Sequence, residues 1–162
     1  MLYLFATIDY AKETTEKYVQ LASQLDALLT GEKNLYANLS NTSALLNQFF
    51  DKINWVGFYL AEEDELVLGP FQGLPACIRI PLGKGVCGTA AKSKESIIVP
   101  DVNAFPGHIA CDAASQSEIV IPIIKDGIVF GVLDVDSPEL NRFSEDDRIG
   151  LEKVMDVLIQ HI

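Results

Sequence analysis

Positive charge is scarce in this chain. Lysine and arginine number 12 against 23 aspartates and glutamates, a formal net charge of −11. A nucleic-acid backbone is recognised by clustered cations, so that class of partner is excluded. Long apolar runs are missing too: none approaches the roughly 18 residues that span a bilayer. The opening MLYLFATIDY has no basic flank and no small-residue cleavage site, so no secretion signal is read there. The expected location is the cytoplasm, away from membranes. Close cysteine pairs are also lacking. Three cysteines, none in a Cys-x-x-Cys spacing, suit neither an ordinary zinc motif nor a static disulfide framework. In a reducing compartment such thiols stay free until chemistry oxidises them. No repeat, linker or low-complexity stretch divides the 162 residues. One domain spanning 1–162 is expected.

What is present is a good supply of core residues in two successive periodicities. Apolar residues make up 49% of the chain, enough for one filled core. Tyr18, Leu21, Ala22, Leu25, Leu28 and Leu29 recur at helical spacing after Thr14, a candidate cap, and Gly31 is placed to end that helix. Leu35, Leu39, Leu45, Leu46, Phe49 and Phe50 form a second helical stripe, with Asn41 as a candidate break. The period then shortens. Residues 55–60 and 66–68 read as strands around an acidic turn, and 77–80, 97–99, 119–124 and 128–134 read as four more. A short helix is expected over 86–93. A last one opens at Ser144 with acids in its first turn and carries Leu151, Val154, Met155, Leu158 and Ile162. The fold class is therefore α+β: a largely antiparallel sheet of about six strands, terminal helices on one face and a loop-covered pocket on the other.

That loop is Asp101 to Ser117, long for a connection in a compact domain and so more often functional than idle. It carries Gly107, His108, Cys111 and Asp112. The three cysteines sit in unusual contexts. Cys77 lies at a strand entry after Pro75-Ala76, Cys87 lies between glycines near a helix start, and Cys111 lies in the long loop. A helix N-terminus favours thiolate, which would activate Cys87. Burial as small hydrophobes is the bland alternative, and zinc held by the thiols with His108 is another. A redox pair with a third thiol in reserve fits the spacing better. His108 is placed to tune Cys111, although a lone loop histidine is more often merely exposed.

Three carboxylates flank a hairpin. Asp134 and Asp136 are two apart, so a strand points both to one face. If Lys125-Asp126-Gly127 is a three-residue loop, Ile124 pairs with Ile128 and Glu118 falls opposite Asp134. A two-residue loop slips the register by one and sends Glu118 to the other face. The bland reading is a strand end fraying toward water. The functional one is an acidic cluster that binds an ammonium group and retains one proton, because crowded carboxylates cannot all ionise cheaply. A calcium or magnesium site lacks its usual dense ligand loop. Trp55, Gly57 and Tyr59 alternate on one face of the first strand. They suggest a gap between two rings, shaped for a thioether chain.

Several segments together carry a resemblance: Asn54-Trp55-Val56-Gly57-Phe58-Tyr59, Leu68-Gly69-Pro70-Phe71-Gln72-Gly73, Gly83-Lys84-Gly85-Val86-Cys87-Gly88, Phe105-Pro106-Gly107-His108-Ile109-Ala110-Cys111-Asp112 and Leu133-Asp134-Val135-Asp136-Ser137. Over nearly the whole chain the sequence resembles the free methionine-(R)-sulfoxide reductase family, single-domain members of the GAF fold. The resemblance implies Cys111 as the attacking cysteine, with Cys77 and Cys87 as resolving or recycling thiols. It implies Glu118, Asp134 and Asp136 as substrate-binding acids, with Trp55 and Tyr59 in an aromatic wall. It implies no cofactor beyond an external dithiol, thioredoxin being the expected partner, and it leaves a homodimer open. Two other classes stay in play: a GAF domain that senses a small ligand, and a thiol redox sensor that oxidises without turnover.

Overall fold

The computed structural model describes residues 5–162; residues 1–4, part of the start read above for a leader, lie outside the described residues. Three helices follow from their caps and stripes. Helix α1 (Thr14–Leu29) is capped one residue earlier than expected, by Glu13, whose carboxylate accepts from the amides of Thr15 and Glu16. The longer side chain reaches back over the first turn, so Thr14 is already helical. Helix α2 (Leu35–Phe49), capped by Asn34, runs unbroken through Asn41. The Thr42 and Ser43 hydroxyls donate to the carbonyls four residues back. Their polarity is thus satisfied within the helix, and Asn41 itself faces solvent. The last helix (Glu145–Ile159, named α4 below) opens with a full capping box between Ser144 and Asp147. Asp147 also accepts from the Tyr18 hydroxyl at 2.7 Å, which ties this helix to α1.

The strands are β1 (Trp55–Glu62), β2 (Glu65–Gly73), β3 (Arg79–Pro81), β4 (Ile97–Val99), β5 (Ser117–Lys125) and β6 (Ile128–Ser137), with helix α3 (Gly85–Ser93) between β3 and β4. They form a six-stranded sheet in the order β3-β2-β1-β6-β5-β4, every neighbouring pair antiparallel. Alternation splits its side chains between two layers. Val56, Phe58, Ile119, Ile121, Ile123, Leu133 and Val135 pack under α1, α2 and α4. Trp55, Tyr59, Leu66, Val120 and Val132 face the other way, toward α3.

The β5–β6 register corrects the sequence expectation. Lys125 pairs with Ile128 across a two-residue turn, Asp126-Gly127, with both φ angles positive at 52° and 78°. This is the turn that matches strand twist. By itself it would send Glu118 to the helix face. A bulge restores the parity: Ile124 pairs with Val129 but Ile123 pairs with Gly131, leaving Phe130 as the extra residue. Glu118 consequently sits opposite Asp136 rather than Asp134, and Val120 sits opposite Asp134. All three acids reach one face by a route the hairpin sequence alone did not specify.

Candidate active site

Central strands place the acids. Across β1 and β6, Trp55 faces Asp136 and Gly57 faces Asp134. Glu118 and Asp134 are only 5% and 6% exposed, while Asp136 is half-buried beside them. Burial disfavours their charged forms and each acid repels the next. Glu118 is pushed up to about 8, by desolvation first and then by Asp136. Asp134 and Asp136 are also held well above the ordinary carboxylate range, again chiefly by burial. Asp134 Oδ1 is buried without a hydrogen-bond partner. A buried acceptor left unpaired is costly, so the cluster is built to receive a donor.

The thiols divide two to one. Cys77 and Cys111 are joined in a disulfide, their Cα atoms 5.7 Å apart. Cys87 is free and buried in α3, packed among Val86, Ala90 and Ala91. Its Sγ lies 3.9 Å from Glu118 Oε1, as donor. The expectation that the helix start would favour a Cys87 thiolate is overturned. Desolvation, followed by the charges of Asp134, Glu118 and Asp136, raises its pKa well above the usual thiol value. A half-charge at a helix end cannot offset full burial beside three acids. The zinc set imagined from the sequence is not assembled either, since two of its thiols are bonded to each other.

The aromatics do more than line a wall. Trp55 stacks on Phe71 and Tyr59, at centroid distances of 5.2 and 5.9 Å. The gap expected over Gly57 is closed: a Cβ there would lie 2.2 Å from Phe71 Cβ and 2.9 Å from the Trp55 ring. Glycine is required because the Cβ and backbone of Phe71 and the Trp55 ring occupy the space. The polar tips hold the Cys77 loop, with Trp55 Nε1 donating to the Leu74 carbonyl at 3.1 Å and Tyr59 Oη to the Cys77 carbonyl at 2.9 Å. Asn54 does the same for the other loop. Its Nδ2 donates to Asp112 Oδ2 at 2.8 Å and Ser115 Oγ at 3.0 Å. Trp55, Tyr59, Cys87, Cys111, Glu118, Asp134 and Asp136 all line one pocket, with a cavity of about 40 Å³. That is room for on the order of three waters.

Comparison with known proteins decides the family. A family model described as GAF domain matches residues 26–160. The chain is 52% identical to the free methionine-R-sulfoxide reductase of Escherichia coli, over 87% of this chain and 86% of that one. It is 46% identical to the enzyme of the same name from Saccharomyces cerevisiae, over 91% and 87%. The crystal structure of free methionine-R-sulfoxide reductase from Neisseria meningitidis in complex with its substrate superposes with a TM-score of 0.92, at 42% identity, over 98% and 95% of the two chains. The chain belongs to the free methionine-R-sulfoxide reductases of the GAF fold. The α+β reading with the terminal helices on one face and the pocket on the other holds for this reductase.

Four residues in and beside the reductase pocket drew little notice in the sequence. His108 Nε2 stands 3.6 Å from Glu118 Oε2, and desolvation lowers its pKa, so the ring is neutral at physiological pH. It faces the acid cluster as well as neighbouring Cys111 in sequence. Asn54 and Ser115 gave no signal, because a loop anchor is recognised only through its partner. Asp112, noted only as part of the loop, is that partner. Among the described residues Cys87, Glu118 and Asp134 also bring one ligand atom each within 4.8 Å of one another.

Proposed function

We propose that the chain reduces free methionine-(R)-sulfoxide to methionine, with Cys111 as nucleophile. The observation that carries this reading is the Cys77–Cys111 disulfide at a pocket lined by three clustered acids and, among the described residues, by no lysine or arginine. A free amino acid supplies the missing cation as its α-ammonium. Asp134 Oδ1 then gains a donor, and one carboxyl of the cluster ionises to pair with the charge. A methionine sulfoxide inside a polypeptide has no such ammonium, which gives the preference for the free amino acid a physical basis.

The Cys111 thiolate attacks the sulfoxide sulfur while a carboxyl that kept its proton passes it to the oxygen. The S–O bond breaks, methionine leaves, and Cys111 carries the oxygen as a sulfenic acid. Glu118 is the acid suited to this, since it still holds a proton near neutrality. The Cys77 thiol then displaces water from the sulfenic acid and forms the disulfide. Cys87 takes no part in that bond: its role is to donate to Glu118 and close the floor. Trp55 and Tyr59 hold the Cys77 loop and flank the substrate's side chain. No prosthetic group enters these steps, because an external dithiol, thioredoxin, provides the electrons. Reduction of the disulfide restores the Cys111 thiol before the next substrate is attacked. A redox-active disulfide of this kind suits the cytoplasm, where static ones are rare; among the described residues no helix is long and apolar enough to cross a membrane.

A coupled assay tests the reading. Thioredoxin, thioredoxin reductase and NADPH are combined with free methionine sulfoxide, and NADPH oxidation is followed. Steady turnover on the R diastereomer alone is expected. Oxidation of the protein by peroxide without turnover on the sulfoxide would make it a thiol sensor instead.

A further inference from the structure

The disulfide is ringed by apolar side chains that the fold leaves in water. Leu74, Ile78 and Ile109 are 63%, 69% and 37% exposed. Leu74 and Ile109 border the same pocket mouth as Cys111, and Ile78 follows Cys77 directly. Residues 74–78 (Leu-Pro-Ala-Cys-Ile) and 105–111 (Phe-Pro-Gly-His-Ile-Ala-Cys) contain no lysine, arginine, aspartate or glutamate. In a chain that is 22% charged and carries a net −11, these two segments form an uncharged collar, bounded by Arg79 and Asp112, beside the one bond that must be opened in every cycle. Exposed apolar groups gathered around a reactive centre mark a contact surface. The occupant has to bring a dithiol to the sulfur, and its own surface around that thiol must be apolar and uncharged to match.

Resting on the reading above, we propose that the Leu74–Ile78–Ile109 collar is the docking surface for the protein dithiol that resets the enzyme, and that this partner attacks Cys111 rather than Cys77. Exposure sets the direction of attack: Cys111 is exposed, whereas Cys77 is half-buried with its carbonyl held by Tyr59. The partner's thiolate forms a bond to Cys111 Sγ as the Cys77–Cys111 bond breaks, and Cys77 leaves as thiolate and takes a proton. The partner's second thiolate then attacks its own first sulfur and releases Cys111 as thiolate. The partner ends as a disulfide and the enzyme as three thiols. Rim apolar contacts of this kind set the partner's KM without touching the sulfoxide chemistry.

The test uses Ile78→Glu, a position outside the pocket lining, with Ile128→Glu as control; Ile128 is 72% exposed on the distant hairpin. Turnover of free methionine sulfoxide is measured with thioredoxin and, separately, with dithiothreitol, a small dithiol that needs no docking. Ile78→Glu should raise the KM for thioredoxin about tenfold or more, leave dithiothreitol-driven turnover at the parent rate, and Ile128→Glu should change neither. Ile78→Ser serves the same comparison if the glutamate variant loses its dithiothreitol-driven rate. Thioredoxin lacking its second cysteine should be trapped as a mixed disulfide that peptide mapping places on Cys111. Parent-like thioredoxin kinetics in both Ile78 variants, a shift in the KM for the sulfoxide in place of that for thioredoxin, or trapping on Cys77 would overturn the proposal. A parent enzyme inactive with either reductant would instead remove the reductase reading on which it rests.

Discussion

The two faces of the sheet are built on opposite terms. Under α1, α2 and α4 the strands bury Val56, Phe58, Ile119, Ile121, Ile123, Leu133 and Val135, all fully enclosed. Every group there is stabilised by leaving water. One residue further along the same strands, Glu118 and Asp134 are buried nearly as deeply, yet every one of their charges is disfavoured by leaving water. The chain tolerates this because the first face is complete without the second. A catalytic pocket can hold acids at pKa values far from normal only where an aliphatic layer behind it supplies the stability.

The sharpest break of the comparison is at the thiols, which belong wholly to the pocket face. Cys111→Ser should lose activity by roughly a thousandfold or more, since serine cannot accept the oxygen as a sulfenic acid. Methionine release is the measurement, and melting temperature should stay near that of the reduced parent. Cys77→Ser should release one methionine per chain in a single turnover and then stall with thioredoxin. Cys87→Ser should recycle like the parent, because Cys87 is not in the disulfide. Thiol counting after one turnover separates these outcomes, and a stalled Cys87→Ser enzyme would return that residue to the recycling role.

Leu133→Ala tests the other face. Leu133 is fully buried between Val132 and Asp134 in sequence but points to the helices. The truncation should cost about 2–5 kcal/mol. For a chain of this size that is a fall of roughly 4–20 °C in Tm, read by circular dichroism. Its kcat/KM measured well below the transition should match the parent. A large loss of activity without a loss of stability would show that the faces are not independent.

Much of this division was legible in the sequence, and the reasons differ by face. The helix face announces itself through periodicity: Leu21, Leu25 and Leu29 or Val154 and Leu158 can only bury as a stripe. Asp134 and Asp136 in an otherwise apolar strand were equally visible, as was the odd set of three thiols. The position of Glu118 was not, because its face depends on a bulge at Phe130, and bulges leave no composition signature. The role of Gly57 was misread for a related reason. A glycine between two aromatics leaves a space only if no neighbouring strand fills it, and Phe71 on β2 does. Helix α3 placed Cys87 at a dipole that favours thiolate, but tertiary burial beside the acids overrides it.

Within the pocket face, the acids separate binding from stability. Asp134→Asn and Glu118→Gln each remove a charge-assisted hydrogen bond, worth roughly 1.5–3 kcal/mol, so kcat/KM should fall about ten- to a hundredfold. N-acetylmethionine sulfoxide should be poor for the parent and no poorer for Asp134→Asn, whereas Glu118→Gln, which also loses the proton donor, should slow both substrates. Equal rates on both substrates in all three proteins would return the cluster to a merely buried strand end.

The smallest effect is also the most specific to this arrangement. Glu118 titrates at about 8 in the folded chain and near its ordinary value of roughly 4.3 when unfolded. Between those values the folded state holds the extra proton, so this group's contribution falls as pH rises through the window. Below it, Glu118 is neutral in both states and resembles glutamine. Glu118→Gln should therefore gain on the parent as pH rises, melting closest to it near pH 4 and clearly above it near pH 8.5, where only the parent carries the buried charge. Methionine, whose ammonium relieves that charge, should raise the parent's Tm at pH 8.5 by more than the variant's. A variant less stable than the parent at both pH values would mean that Glu118 is held by partners in the folded chain, and the pocket face would then share the terms of the helix face.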